Sequence, residues 1–337
     1  MDDGGRDRRI WIIAGIVSAT VLLLVLFALL VVHYFYPSRG EEPVSVVIAE
    51  GDTAAQIADK LADTRVITSA SIFRFLAWIQ GRQGDFKAGT YVFYPGMHYG
   101  EVFAMLEEGP GNIVRVTIPE GMTVEQTAAR MAQVMAFSPE EFVAAAESGD
   151  YGVEIIPAEN QANLEGVLFP KTYEFQADTP PHGVIEVLLR QFDAETSGLG
   201  WGRAEELGLT PYEVVIAASI IEREVVLPEE RPLVAAVIFN RLRAGMMLQM
   251  CSTVQYCLPE QKDILSLEDL ETPSPYNTYL HKGLPPAPIC SPGLASIQAV
   301  LDPAQVDYLY FVARGDGGHF FTSDYDEFLR VKEQVQD

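Results

Sequence analysis

The core of the chain is expected to form around one continuous stretch, Thr210-Pro211-Tyr212-Glu213-Val214-Val215-Ile216-Ala217-Ala218-Ser219-Ile220-Ile221-Glu222-Arg223-Glu224. Thr210 and Glu213 have the spacing of a capping box, and Pro211 occupies the first helical position, so a helix is predicted to begin there. The residues Val214–Ile221 carry no charge and only one hydroxyl group. A helix that is apolar on every side is usually buried, so this helix is predicted to lie in the core.

Glu222 directly follows this apolar run and is the candidate catalytic residue. Ala218 and Ser219 are small and precede it by four and three positions, on the same helix face, so a hollow is expected beside its carboxyl group. A carboxylic acid placed where water is scarce can keep its proton at neutral pH and donate it in a reaction. The alternative interpretation is a solvated glutamate at a helix end, paired with Arg223.

A second apolar stretch, Ile10–Val32, contains no charged residue. A bilayer core requires about 20 residues of helix, so one transmembrane helix is predicted over residues 10–32. The alternative is a cleavable signal peptide, but its apolar part spans only about 7 to 15 residues and ends at small residues. Three arginines precede the stretch, so residues 1–9 are predicted to be cytoplasmic and the rest extracytoplasmic, in a single-pass protein of the plasma membrane.

Length and charge limit the number of domains and the partners that are possible for the chain beyond the predicted transmembrane helix. After a linker over residues 33–42, about 300 residues remain, enough for two domains, which are predicted over residues 43–112 and 113–337. The predicted fold class is α+β. The net charge is −24 and the basic residues form no dense cluster, so nucleic acid is not an expected partner.

The three cysteines, Cys251, Cys257 and Cys290, leave two states open: a Cys251–Cys257 disulfide or three free thiols. Zinc binding by these cysteines and His281 is disfavoured, because the spacing of known zinc motifs is missing. No metal and no cofactor are therefore expected.

An internal repeat relates the two domains, and its copies are Ile48-Ala49-Glu50-Gly51-Asp52-Thr53 and Ile118-Pro119-Glu120-Gly121-Met122-Thr123. Each copy predicts a strand, a glycine turn, a threonine cap and an amphipathic helix, and the two strands are predicted over Val44–Ile48 and Ile113–Ile118. A further helix is predicted around Ile72–Leu76 and a further strand at Tyr91–Tyr94. The first domain thereby resembles a LysM module, which binds glycans that contain N-acetylglucosamine. A plain α+β packing module is the alternative.

Beyond Glu222, a helix is predicted over Glu229–Arg243, and polar and aromatic residues then alternate with prolines in predicted loops, which suits a cleft for a long polar ligand. A series of short motifs runs in order through the chain: Leu164-Glu165-Gly166, Leu168-Phe169-Pro170, Thr172-Tyr173, Ala217–Glu224, Glu230-Arg231, Phe239-Asn240-Arg241-Leu242, Gly245-Met246, Leu248-Gln249, Thr253-Val254, Tyr276-Asn277-Thr278-Tyr279, Gly283-Leu284-Pro285-Pro286, Tyr308–Val312, Gly317-Gly318-His319 and Phe321. With these motifs, the chain as a whole resembles the endolytic murein transglycosylase family, also called YceG-like.

The resemblance implies a lyase that cuts inside peptidoglycan strands between N-acetylmuramic acid and N-acetylglucosamine and leaves 1,6-anhydro-N-acetylmuramic acid ends. The catalytic glutamate of the family falls on Glu222, which would protonate the glycosidic oxygen; the C6 hydroxyl group would then attack C1, with Glu222 as its base. The implied partners are glycan strands and the plasma membrane, with cell-wall synthases as further candidates. The residues predicted to bind substrate are Glu165, Gln249, Tyr276, Asn277 and Thr278.

One departure from the family pattern concerns a helper carboxylate. Many relatives have an acidic residue and a proline before the Thr253-Val254 pair, where this chain has Cys251-Ser252. Glu165 and Glu224 are then the nearest helper candidates, and Glu224 is interpreted as structural, paired with Arg223 or Arg231.

Two other functions stay open from the sequence. A hydrolase would use water as the nucleophile and would need a second carboxylate about 5 to 9.5 Å from the first. A non-catalytic factor would bind glycans and position other cell-wall enzymes.

Overall fold

A computed structural model describes residues 43–149, 151–262 and 264–336. The predicted transmembrane segment and linker, residues 10–42, lie outside these residues. Within the described part, no helix is both long and apolar enough to cross a bilayer. The described residues form many helices and three two-stranded sheets, which confirms the α+β class at this level. They divide into two compact units, with the boundary between Ile113 and Val114.

The first unit has the order strand, helix, helix, strand, helix. Its strands β1 and β2 pair antiparallel, from Val44 opposite Phe93 to Ile48 opposite Gly89. The predicted threonine cap forms at Thr53, and Gln56 completes it as a capping box. The first four elements have the order expected of a LysM-like module, and glycan binding by this unit stays a prediction. The elements are β1 (Val44–Ile48), α1 (Ala54–Asp63), α2 (Ala70–Ile79), β2 (Gly89–Phe93) and α3 (Tyr99–Glu108).

The second unit is mainly helical and has one large core. Sheet β3–β4 and the antiparallel hairpin β5–β6 are its two sheets. Its elements are β3 (Ile113–Thr117), α4 (Val124–Met131), α5 (Pro139–Ala146), β4 (Thr172–Gln176), α6 (Pro181–Thr196), α7 (Gly202–Glu206), α8 (Pro211–Glu224), α9 (Arg231–Arg243), α10 (Cys251–Cys257), α11 (Leu267–Leu270), α12 (Leu294–Leu301), β5 (Tyr310–Ala313), β6 (His319–Thr322) and α13 (Tyr325–Gln336), with short 3-10 turns at Ala158–Asn160 and Pro228–Glu230.

Helix α8 is the buried core helix that the sequence predicts. It begins at Pro211 behind the Thr210–Glu213 capping box, and every residue from Val214 to Ile221 is buried. It packs against α9, α10 and α12. The hollow predicted beside the carboxyl group of Glu222 is filled by the chain itself, because Ile289 N–H donates to Ser219 Oγ and Gly293 N–H donates to Glu222 Oε2, each at 3.0 Å.

Two local predictions are corrected. The helix expected over Glu229–Arg243 begins at Arg231, after a 3-10 turn that starts at Pro228. The segment Cys251–Cys257, expected in a loop, is helix α10. Its two cysteines are six positions apart on this helix, about 9 Å in rise, which exceeds the Cα separation that a disulfide spans. All three cysteines are free thiols, so of the two states left open the unbridged one is observed.

Candidate active site

Glu222 occupies the last turn of α8 and is held by groups from two other helices. Its Oε2 accepts hydrogen bonds from Gly293 N–H at 3.0 Å and from Ser296 Oγ–H at 2.7 Å. Its Oε1 lies 3.6 Å from a guanidinium nitrogen of Arg231, and only 8 % of its side chain is exposed. Arg231 Nε–H donates to Ser296 Oγ at 3.1 Å, so α9, α12 and α8 meet at this carboxyl group.

The position of Gly293 follows from a chain segment that runs beside α8. Ile289 contacts Ser219, as described above, and Gly293 then caps the N-terminus of α12. Backbone hydrogen bonds join this segment to the repeat turn, Gly121 N–H to Ser291 O at 2.8 Å and Ser291 N–H to Met122 O at 2.8 Å. The turn needs glycine, because Gly121 has φ +79°. The glycine turn of the second repeat copy therefore lies against helix α8.

This turn brings a second carboxylate, Glu120, to the site. A Cβ atom at position 293 would overlap with Oε1 of Glu120 and lie 2.8 Å from its Oε2, so only glycine leaves room for this side chain. The pKa of Glu120 is raised, first by burial of its carboxyl group and then by the charge of Glu222, while Arg231 opposes the rise. Glu120 was quoted in the repeat but not predicted as a site residue. The signal that could have found it is the Glu-Gly pair that precedes each threonine cap.

Two depressions are lined by neighbours of Glu222, although Glu222 itself lines neither of them. The first, about 420 Å³, reaches Arg223, the next residue on α8, and the second, about 260 Å³, reaches Arg231. A larger cavity of about 740 Å³ between α7, α9 and residues 303–308 has none of the Glu222 contacts in its lining and is not part of the site. The first depression is lined by Thr123, Glu125, Gln126, Arg223, Ser252, Gln255, Tyr256, Leu258, Pro259, Gln261 and Ile289.

Three of the predicted substrate residues are buried and bonded internally. Asn277 Nδ2–H donates to the carbonyl oxygens of Leu270 and Thr272, and Thr278 Oγ1 accepts from Met250 N–H. Their placement supports a structural role in the turn and gives no support to direct sugar contact. Glu165 is 2 % exposed.

Glu165 lies at the N-terminus of α4. Its Oε2 accepts long hydrogen bonds from Val124 N–H at 3.3 Å and Tyr256 Oη–H at 3.4 Å. Burial raises the pKa of Glu165 to about 8, and these bonds only partly offset the effect. Glu165 is therefore a buried carboxyl group that favours its neutral form, and Tyr256 connects it to the wall of the 420 Å³ depression.

The other two predicted substrate residues are accessible. Gln249 is exposed, with φ +51°, and its N–H donates to Thr278 O at 3.1 Å. Tyr276 is half-buried, with its ring 4.9 Å from that of Tyr256. Both stay predictions as sugar contacts.

Glu224 is structural, but its predicted arginine partner is wrong. Its Oε1 accepts Ser252 N–H at 2.9 Å and so holds the start of α10. Arg231, one of the two predicted partners, lies against Glu222. Arg223 reaches Gly121 O at 3.4 Å. Residues two positions apart on a helix point in different directions, so Glu224 faces Ser252 while Glu222 faces Arg231.

Comparison with known proteins identifies the family. The sequence model of the YceG-like family matches residues 46–334. The endolytic murein transglycosylase of Bacillus subtilis (strain 168) is 30% identical over 305 residues, which cover 86% of this chain and 84% of that protein. The protein of the same name from Streptococcus pneumoniae (strain ATCC BAA-255 / R6) is 28% identical over 319 residues, 86% of this chain and 58% of the streptococcal one.

One solved structure matches this chain along the whole length of that structure. The crystal structure of a YceG-like protein from Listeria monocytogenes superposes with a TM-score of 0.59 at 30% identity, and the match covers 88% of this chain and all of that one. The family match spans most of the described residues, including the turn that carries Glu120 and the helix that carries Glu222. The chain therefore belongs to the YceG-like family.

Proposed function

We propose that this protein is a lytic transglycosylase that cuts inside peptidoglycan strands, with Glu222 as its proton donor. The observation that carries the assignment is the placement of Glu222, a nearly buried carboxyl group in the last turn of the core helix, which Gly293, Ser296 and Arg231 hold in place. The next residue, Arg223, lines the depression of about 420 Å³. Relatives of 28 to 30% identity named endolytic murein transglycosylase support the same reaction.

The chemistry requires one proton donor and one proton acceptor. Glu222 protonates the oxygen between N-acetylmuramic acid and N-acetylglucosamine, because this oxygen is a poor leaving group until it is protonated. As the C1–O bond breaks, the C6 hydroxyl oxygen of the same N-acetylmuramic acid bonds to C1 and releases its proton to a carboxylate. The products are a 1,6-anhydro end and a free 4-hydroxyl group, and no water is consumed.

The surroundings of Glu222 suit this role. Gly293, Ser296 and Arg231 fix the carboxyl group from three directions, so its orientation is preorganised before substrate arrives. Gly293 also forms the N-cap of α12, so the positive end of that helix dipole faces the carboxyl group. These contacts stabilise the charge that appears on Glu222 once it has donated its proton.

We place the protein in the plasma membrane through residues 10–32, with residues 1–9 in the cytoplasm and the two folded units outside. The support is the uncharged run from Ile10 to Val32 and the arginines before it. Peptidoglycan strands are then within reach, and cell-wall synthases are proposed as partners. Fractionation of cells that express the full chain, followed by protease treatment of spheroplasts, tests this orientation: the folded units must be digested.

Product analysis tests the reaction. Purified full-length protein is incubated with isolated glycan strands, and the ends are identified by mass spectrometry. We expect anhydro ends from the unmodified protein and a loss of at least about 10³-fold in rate for Glu222→Gln. Glu229→Gln, an exposed glutamate close in sequence, is the matched control and should behave as the unmodified protein. An active Glu222→Gln variant would refute the assignment.

One observation favours a second candidate, a hydrolase. Glu120 supplies a second carboxylate near Glu222, as a glycosidase that activates water would require. Such an enzyme would add water at C1 and produce reducing ends. The same mass spectra separate the two reactions, since an anhydro end is lighter by one water molecule.

A further inference from the structure

We propose that Glu120 is a second catalytic group, which takes the proton from the C6 hydroxyl group while Glu222 protonates the leaving oxygen. The inference rests on the proposed function. It goes beyond that function by giving the acid and the base to different side chains. It also gives the second copy of the repeat a chemical role that the first copy does not share.

The first step is geometric. Gly293 N–H bonds to Glu222 Oε2 at 3.0 Å, and the position of a Cβ on the same residue lies within 2.8 Å of both carboxylate oxygens of Glu120. With an N–Cβ separation of about 2.5 Å, Glu120 Oε1 is within about 8 Å of Glu222 Oε2. Within this limit both carboxyl groups can reach one sugar ring, Glu222 at the leaving oxygen and Glu120 at the C6 hydroxyl group.

The second step concerns the approach of the turn. A Cβ at Gly121 would lie 3.7 Å from Cγ of Glu222, so the backbone that carries Glu120 packs on the catalytic side chain itself. Hydrogen bonds between Gly121, Met122 and Ser291 hold this backbone in place. Glu120 is consequently fixed at its Cα, and only its side-chain torsions are free.

The third step compares how the two carboxyl groups are held. Glu222 accepts two hydrogen bonds and faces Arg231. Glu120 accepts no hydrogen bond from the residues that the structure describes. The residue as a whole is exposed to solvent, while the end of its side chain is partly covered by Gly293. A base must be reachable by the substrate and uncommitted to other donors, and Glu120 meets both conditions.

The fourth step is the proton balance. Two carboxylates at this separation resist being ionised together, so the pair formed by Glu222 and Glu120 shares one proton. If Glu222 gives one proton to the leaving oxygen while Glu120 takes one from the C6 hydroxyl group, the pair carries one proton before and after the step. The O6–C1 bond forms and the C1–O4 bond breaks. Proton exchange between the two groups through solvent then restores the starting state.

The test uses the full chain, isolated glycan strands and the isosteric variant Glu120→Gln. Glu50→Gln is the matched control, because Glu50 holds the same place in the first repeat copy. We expect kcat of Glu120→Gln to fall by about 10²- to 10⁴-fold. We also expect glycan binding and the melting temperature to be unchanged, and Glu50→Gln to match the unmodified protein.

The pH profile of kcat separates a base from a positioning residue. A base must be ionised, so Glu120→Gln should lose the acidic limb, in which the rate rises with pH, and keep the alkaline limb. A fall in kcat with both limbs intact overturns the role as base, and so does a kcat within about threefold of the unmodified protein. If Glu222→Gln is inactive while Glu120→Gln is active, the proposed function stands and this inference fails. If Glu222→Gln is active, the proposed function fails.

Discussion

Replacing Glu165 by glutamine should change how stability depends on pH. Glu165 is 2 % exposed, and burial raises its pKa to about 8 from a usual value of 4.5. Between these two values the folded protein binds one proton at this site that the unfolded chain does not, so the free energy of unfolding falls as pH rises. The stabilising effect of neutral Glu165 is complete below about pH 4.5 and is lost as pH passes through about 8.

The magnitude follows from linkage. Each pH unit in this window changes the free energy of unfolding by about 1.4 kcal/mol, so the difference between Glu165→Gln and the unmodified protein should grow by about 3 to 4 kcal/mol from pH 5 to pH 8. Glutamine keeps the shape and can still accept from Val124 N–H and Tyr256 Oη–H. The variant should therefore be about as stable as the unmodified protein at pH 5 and clearly more stable at pH 8.

Urea unfolding of the full chain at pH 5, 6, 7 and 8, followed by circular dichroism, measures this difference. Glu159→Gln, an exposed glutamate, is the control and should give a curve parallel to that of the unmodified protein. If Glu165→Gln also runs parallel, Glu165 is ionised in the folded protein and the reasoning from burial is refuted.

Three further predictions concern single contacts. Gly293→Ala places a Cβ against the carboxylate of Glu120, which is the movable end of a side chain. The melting temperature should stay within a few degrees of the unmodified protein, while kcat should fall by at least about tenfold. An unchanged kcat would contradict the close packing of Gly293 and Glu120. Thr210→Ala removes the cap that accepts Glu213 N–H, and the free energy of unfolding should fall by about 1 kcal/mol in urea titrations, whereas no change would mean that the cap is not formed. Gly166→Ala should lower the free energy of unfolding by more than about 2 kcal/mol in the same assay. Residue 166 has φ +89°, and the added Cβ would lie 2.5 Å from the ring of Pro288, which cannot rotate away. A smaller loss would show that the backbone relaxes at this position.

Local signals predicted the secondary structure near the site well. The predicted threonine caps at Thr53 and Thr123 and the predicted capping box at Thr210 all form, because both partners of each contact are three residues apart in sequence. The strand over Val44–Ile48 has the predicted bounds. The helix over Pro211–Glu224 begins at the predicted residue, Pro211, and its apolar run is buried as predicted.

Long-range neighbours were predicted less well. Glu224 was expected to pair with an arginine, but it bonds to Ser252 N–H, because helix α10 packs beside it. Asn277 and Thr278 looked like glycan contacts by composition, yet their side chains bond to the backbone of neighbouring turns. A polar residue in a proline-rich loop has the same local signature whether it contacts a ligand or closes the loop.

The sequence by itself determined which residue to suspect, because an uncharged helical run, Val214–Ile221, followed directly by Glu222 can be recognised from side-chain chemistry along a single segment. It did not determine what surrounds that carboxyl group. Gly293, Ser296, Arg231 and Glu120 come from segments 9 to 102 positions away, and no periodicity connects them. Only tertiary packing brings the second repeat turn onto α8 and so places a second carboxylate beside the first, because contacts between distant segments depend on the shape of the whole core.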